Sequence, residues 1–184
     1  MRYRATVIAF VATWLALTVA CGPGPKGELT SNDFNWPTGE TVMVRGRRVT
    51  LPLSAQANLT RRAQLLASVT MHVETFELDH GAQPKTPIGV SDWALIPCWS
   101  DPTPVYLGCW CRTRTGRATI LVAPQDDTVP ALYHELMHDK LGPGHGEDDA
   151  GKRALWAVAD VRGQWVVDQL RAARARSILR SSKE

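Results

Sequence analysis

Two histidines and a glutamate, His134, Glu135 and His138, lie within five consecutive residues. Side chains four residues apart share one face of a helix, so the two imidazoles can bind a single metal ion. Glu135 would then lie beside the metal, where its carboxylate can take a proton from a metal-activated water. The residue types and their spacing therefore indicate metal-assisted hydrolysis, and zinc is the metal expected for this HExxH pattern.

A catalytic zinc usually has three protein ligands, so a third ligand is expected near these two histidines. His145 lies seven residues after His138, beyond a Gly-Pro-Gly turn at which the chain can reverse. We expect His145 to be the third ligand. A more distant residue remains an alternative, as do three nearby acids that would equally suit a solvated helix N-terminus: Glu147, Asp148 and Asp149.

The elements around the motif are expected to be a strand followed by a helix. Residues 118–123 are rich in β-branched side chains and are closed by a proline, which predicts a strand. Pro130 suits the first turn of a helix, and the Gly-Pro-Gly sequence at 142–144 predicts where that helix ends. The helix cap is expected from one of three residues: Asp126, Asp127 or Thr128. Tyr133 would point away from the metal-binding face.

Residues 134–145 read HELMHDKLGPGH, which gives the pattern HExxHxxxGxxH. This pattern resembles the zincin metallopeptidases and, among them, the spacing of the archaelysin branch of the metzincins. The resemblance covers 12 residues. It does not extend to a methionine turn or to downstream cysteines, because no methionine follows Met137 and no cysteine follows Cys111.

The resemblance implies that His134, His138 and His145 bind Zn2+ and that Glu135 is the general base. It also implies that the strand at 118–123 borders the cleft, where an extended peptide can pair alongside it.

The N-terminus is expected to be an export signal. Two arginines precede an apolar stretch from Ala5 to Ala20, and Thr18-Val19-Ala20-Cys21 resembles a bacterial lipobox. The resemblance implies lipidation of Cys21 and attachment to a membrane, on the periplasmic or outer surface. Secretion after cleavage nearby and a retained membrane anchor are the alternatives.

The predicted organisation is a signal peptide over residues 1–20, a lipid-anchored linker and irregular segment over 21–40, and one domain over 41–184. A formal net charge of +3 gives no reason to expect a nucleic-acid partner. The arginines near the C-terminus suit a solvated last turn of a helix.

Three cysteines remain if Cys21 is lipidated, which permits one disulfide in an exported protein. We expect Cys98 to pair with Cys109 or Cys111. A metal site at Cys109-Trp110-Cys111 is a weaker alternative, because a single residue between cysteines is not the usual spacing.

The remaining segments predict a hairpin, two helices and a long irregular region. The hairpin turns at residues 45–48, and a helix runs from a cap at Asn58 to near Gly81. His72 and His80, on or just after this helix, are expected to be exposed or hydrogen-bonded. Residues 82–117 are expected to be mostly loop, with a short strand at 93–96.

The C-terminal helix is expected to bury a stripe of apolar residues and to bend or divide at Gly163. The stripe consists of Ala154, Leu155, Val158, Val161, Trp165 and Val166. Trp156 and Trp165 are interpreted as packing residues.

Together these features predict an α+β, zincin-like domain with a small mixed sheet, an active-site helix and a long C-terminal helix. The leading hypothesis is a zinc-dependent metallopeptidase of the cell envelope, a hydrolase acting on peptide or protein substrates. The alternatives are a non-catalytic lipoprotein that binds a metal or a partner on the same scaffold, and a structural lipoprotein whose motif is accidental.

Overall fold

The computed structural model describes residues 36–94, 96–97, 105–112, 118–142, 144–146 and 149–181. The expected signal peptide and Cys21 lie outside these ranges, as do Cys98, Glu147 and Asp148. Within the described ranges the chain forms an α+β domain, as the sequence predicted. No helix in these ranges is long and apolar enough to cross a membrane.

Seven strands and four helices make up the described part of the chain. The strands are β1 (Thr41–Val44), β2 (Arg47–Thr50), β3 (Ile88–Val90), β4 (Ile96–Pro97), β5 (Val105–Tyr106), β6 (Gly108–Arg112) and β7 (Ala118–Val122). The helices are α1 (Leu53–Gln56), α2 (Leu59–His80), α3 (Leu132–Leu141) and α4 (Ala150–Ser181).

Five strands form one mixed sheet in the order β1-β2-β3-β7-β6. Strands β2, β3 and β7 are parallel, whereas β1 and β6 are antiparallel to their neighbours. Strands β4 and β5 form a separate two-stranded sheet. The small mixed sheet predicted from the sequence is therefore present.

The position of β7 corrects one expectation. The strand at 118–122 exists as predicted, but it pairs with β3 on one side and β6 on the other. Because both its edges are occupied, a peptide cannot pair alongside it. The edge strand on this side of the sheet is β6, in a segment expected to be mostly loop.

The predicted hairpin and the first long helix are confirmed, with one adjustment. Arg45 and Gly46 both have positive φ, 52° and 78°, so the turn has two residues and the second strand begins at Arg47. The Asn58 side chain accepts a hydrogen bond from the Arg61 main chain and caps α2. Gly81, with φ of 76°, ends that helix.

The core lies between the large sheet and helices α2, α3 and α4. Its largest fully buried apolar side chains are Leu51, Leu65, Phe76, Ile88, Ile120, Leu132, Leu136 and Met137. Leu132, Leu136 and Met137 belong to α3, which therefore has its inner face fixed against the sheet.

The C-terminal helix is continuous through Gly163, but most of the predicted apolar stripe is not buried. Val166 is buried as predicted, and Trp156 and Ala159 are buried beside it. The exposed members of the stripe are Ala154, Leu155, Val158, Val161 and Trp165, so Trp165 is not the packing residue expected. A Cβ on Gly163 would lie 3.4 Å from the Pro130 carbonyl oxygen and from Tyr133 Cβ. These are ordinary van der Waals distances, so Gly163 lies in the contact between α4 and α3 and does not break the helix.

Candidate metal centre

Helix α3 presents His134 and His138 from one face, but its start differs from the prediction. Asp126 and Asp127 have positive φ, 47° and 58°, and form a turn closed by hydrogen bonds between Gln125 and Thr128. Ala131 occupies the cap position without a side-chain hydrogen bond. The three residues expected to cap the helix therefore shape the turn before it.

The end of α3 returns His145 to the other two histidines. Gly142 and Gly144 have φ of 83° and 82°, a left-handed conformation in which residues with side chains are strained. His145 Nε2 lies 3.1 Å from His134 Nε2, and one ligand atom from each of the three histidines lies within 4.8 Å of the others. The structure therefore places three imidazoles close enough to bind one metal ion.

Asp149, one of the competing third ligands, has a different role. Its Oδ1 accepts hydrogen bonds from the main-chain N–H groups of Gly151 at 2.8 Å and Lys152 at 3.1 Å. These bonds lower the pKa of Asp149, Lys152 contributing most. The side chain thus caps α4, which is the helix-terminus interpretation of this acidic segment.

Hydrogen bonds on the far side of two rings fix which nitrogen faces the metal position. His138 Nδ1 lies 3.1 Å from the Gly142 carbonyl oxygen, and His134 Nδ1 lies 3.1 Å from Asp160 Oδ1. Both oxygens are acceptors, so each Nδ1 carries the proton and each neutral ring keeps a lone pair on Nε2. At 3.1 Å from this lone pair of His134, His145 Nε2 either donates a proton to it or shares a cation with it.

The pKa of His134 reflects its acidic neighbours. Burial lowers this pKa, but the hydrogen bond to Asp160 and the charges of Glu135 and Asp160 outweigh burial, so the net shift is upward. The surroundings of the His134 ring therefore favour positive charge.

The indole ring of Trp156, on α4, packs against all three imidazoles. Its ring centroid lies 4.7 Å from that of His134, 4.5 Å from that of His138 and 4.6 Å from that of His145. The side chain is only 5% exposed. It is a packing residue, as interpreted from the sequence, but its packing partners are the candidate ligands.

Glu135 is buried against the edge strand, where it is 2% exposed. Burial raises its pKa to about 7, while His134 and a hydrogen bond from the Trp110 main chain act in the opposite direction. Glu135 Oε2 has no hydrogen-bond partner among the described residues. A carboxylate with one uncommitted oxygen and this pKa is suited to exchanging protons near neutral pH.

The neighbouring tyrosine points away from this site, as expected. Tyr133 donates its hydroxyl proton to Asp79 Oδ2 at 2.7 Å, and His80 Nε2 lies 3.1 Å from the same hydroxyl. His80 is therefore hydrogen-bonded, as predicted. His72 is not as predicted, because it is 0% exposed and neither ring nitrogen has a partner in the described part of the chain.

The cysteine predictions are tested only in part. Cys109 is buried on β6, opposite Leu121 of β7. Cys98 and the side chain of Cys111 are outside the described parts of the structure, so the disulfide pairing stays a prediction.

Sequence reasoning missed four residues that contact the site: Gly108, Trp110, Trp156 and Asp160. Trp156 and Asp160 are four apart on α4, a spacing that places them on one face. Comparison of the chain with protein-family models, curated proteins and solved structures finds no match.

Proposed function

We propose that this protein is a zinc-dependent peptidase in which His134, His138 and His145 bind the metal and Glu135 is the general base. The observation that carries the proposal is the convergence of the three imidazoles, with ligand atoms within 4.8 Å of one another, next to a buried glutamate. Three histidines leave a fourth coordination position for water or substrate, as in catalytic zinc sites.

The donor atoms suit zinc in chemistry, and the pair from His134 and His145 also suits it in spacing. Neutral imidazole nitrogens are common zinc ligands, and Zn–N distances of about 2.0–2.1 Å in a tetrahedral site place two ligand nitrogens about 3.3 Å apart. The 3.1 Å between His134 Nε2 and His145 Nε2 is close to that separation. The ring hydrogen bonds of His134 and His138 hold their lone pairs in the tautomer that a metal requires.

The protein residues then have separate roles in hydrolysis. Zinc, when bound, acts as a Lewis acid that lowers the pKa of a water and polarises a carbonyl. Glu135 Oε2 accepts the proton of the attacking water and later delivers it to the leaving amine. Asp160 and the Gly142 carbonyl hold two of the imidazoles in position, and Trp156 excludes water beneath them.

The substrate of this proposal is a peptide or protein in extended conformation. Strand β6 is one edge of the large sheet and lies beside Glu135, so an extended substrate that follows this strand would run past the site. Together with the predicted export signal and lipidation at Cys21, this suggests a peptidase that acts at the cell envelope.

The test measures zinc content and peptide cleavage for the parent protein, Glu135→Gln and a matched control, Glu74→Gln. Glu74 is an exposed residue of α2 away from the motif. We expect about one zinc per chain in all three proteins, and loss of cleavage by about 10²- to 10⁴-fold in Glu135→Gln alone.

A protein without zinc, or one whose cleavage survives Glu135→Gln, contradicts the proposal. Stoichiometric zinc without cleavage of a broad peptide library would instead favour the non-catalytic lipoprotein that binds a metal or a partner.

A further inference from the structure

Gly108 of the edge strand is in direct contact with the Glu135 side chain. A Cβ at this position would lie 2.5 Å from Glu135 Oε1 and 2.7 Å from Glu135 Cγ. Real Cβ atoms essentially never approach other atoms so closely. The space occupied by the carboxylate therefore exists only because residue 108 has no side chain.

The main chain of the same strand binds this carboxylate. Ala123 donates its N–H to the Leu107 carbonyl at 2.8 Å, which sets the alternation of the antiparallel ladder between β6 and β7. Cys109 and Cys111 therefore direct their main-chain groups towards β7, whereas Trp110 directs its own to the open edge. There the Trp110 N–H donates to the Glu135 carboxylate.

The Trp110 side chain links this strand to the metal-binding helix. Its indole Nε1 donates to Asp139 Oδ1 at 3.4 Å, and its ring stacks on His138 with centroids 6.0 Å apart and an interplanar angle of 24°. Asp139 is itself held by the Thr86 hydroxyl at 2.6 Å and by Arg47 at 3.5 Å. The Arg47 and Asp139 side chains are 0% and 4% exposed, so this anchor is shielded from water.

We propose that β6 is a positioning element for the general base. Gly108 provides the space for the Glu135 carboxylate, and the Trp110 N–H fixes one of its oxygens so that Oε2 faces the reacting water. Neither residue touches the metal, and the role in catalysis rests on the proposed peptidase function. The orientation of the Glu135 carboxylate can be tested separately from the peptidase function.

The first test measures whether Gly108 and Glu135 are coupled, without requiring enzyme activity. Gly108→Ala is compared with the parent by urea denaturation, and the comparison is repeated in a Glu135→Ala background. A Cβ at residue 108 would also lie 2.9 Å from Ala131 Cβ. We therefore expect Gly108→Ala to lower the urea midpoint in both backgrounds, but by clearly more in the parent than where the carboxylate is absent.

The matched control for this test is Gly89→Ala in β3. A Cβ on residue 89 would lie 3.0 Å from Pro37 Cδ and 3.1 Å from Leu121 Cδ1. Neither atom belongs to Glu135. Its effect on the urea midpoint should be the same in both backgrounds. A Gly108→Ala effect that is equally large in both backgrounds, or absent from both, overturns the proposal.

The second test isolates the main-chain N–H by comparing Trp110→Pro with Trp110→Ala. Both variants lose the indole, but only proline lacks the N–H, and this N–H faces away from β7, where an edge strand tolerates proline. We expect equal zinc content and a kcat about tenfold lower for proline than for alanine, with similar KM, measured on the library peptide that the parent cleaves best.

Equal kcat values for the two Trp110 variants would overturn the role of the N–H. If the parent cleaves no peptide, the peptidase proposal fails while the positioning proposal is still decided. In that case the stability lost by Trp110→Pro relative to Trp110→Ala must be smaller in the Glu135→Ala background than in the parent. An equal loss in both backgrounds overturns the positioning role.

Discussion

His72 and His138 are both buried, with exposures of 0% and 1%, but their environments differ in every other respect. His138 Nδ1 donates to the Gly142 carbonyl, its ring lies against Trp110 and Trp156, and two other imidazoles are adjacent. His72 has no hydrogen-bond partner in the described part of the chain. Burial alone therefore does not make a histidine a metal ligand.

The two sites differ in whether their surroundings favour or disfavour positive charge on a histidine ring. Burial without a compensating partner lowers the pKa of His72 to about 3, so this site rejects a proton. In the metal centre, the carboxylates of Asp160 and Glu135 favour positive charge at His134. Positive charge is therefore favoured at His134 of the three-histidine cluster and disfavoured at His72 in the core.

The largest expected contrast is between His138→Ala and His72→Ala. The free energy of zinc binding at a site with four ligands is roughly 10–16 kcal/mol, or about 3 kcal/mol for each ligand. Removal of one ligand should therefore weaken zinc binding by about a hundredfold or more. His72→Ala should leave zinc affinity unchanged and lower stability through the cavity it creates. Zinc titration against a competing chelator and urea denaturation separate the two effects. Equal zinc affinities would remove the distinction between the two sites.

The next contrast concerns acid stability. Because the folded-state pKa of His72 is about 3 and the reference value is 6.5, the unfolded chain binds a proton that the folded chain does not bind between these values. Folding stability therefore falls as the pH falls below about 6.5, by about 1.4 kcal/mol per pH unit from this residue.

The substitution His72→Leu should remove the part of the pH dependence of folding stability that comes from His72. Relative to the variant, the parent should lose about 2.3 kcal/mol between about pH 6.5 and 4.5, measured by urea denaturation of metal-free proteins. The metal-centre histidines are present in both proteins and cancel in the difference. Parallel pH profiles would show that the His72 ring reaches a partner or solvent.

The smallest of the three effects is expected for Asp160→Asn, which keeps the shape of the side chain that binds His134 Nδ1. Loss of a carboxylate behind a metal-binding histidine typically weakens metal affinity by about 10- to 100-fold. Asp168→Asn is the control, because Asp168 lies on the same helix and accepts a hydrogen bond from Gln164 at 2.8 Å. Equal zinc affinities for the two variants would exclude a role for Asp160 in holding the ring.

The sequence predicted those parts of the site that depend on local geometry. The HExxH spacing on a helix and the glycines after Leu141 were sufficient to bring His145 back to the metal position. The Asn58 cap, the Gly81 terminus and the two-strand hairpin are equally local. Each of these features is determined by residues a few positions apart.

The missed features depend on contacts between distant segments. Strand β6 contains glycine, cysteine and tryptophan rather than β-branched residues, and it becomes a strand by pairing with β7. The face of α4 that is buried follows from the close approach at Gly163 and from Trp156 filling the space under the imidazoles. The apolar periodicity identified the helix, but most of the residues in the predicted stripe are exposed and Val166 alone among them is buried.

Helix α4 also gives a bound metal a mechanical role. It contributes Trp156 and Asp160 to the centre, and Arg162 forms a two-pronged ion pair with Asp79 of α2 at 2.7 and 2.8 Å. A metal held by residues of α3 and the following turn would therefore fasten the C-terminal helix to the rest of the domain without a covalent bond. Free metal then stabilises the folded chain in proportion to the logarithm of its concentration, and a chelator acts as a denaturant and exposes the helix to proteases.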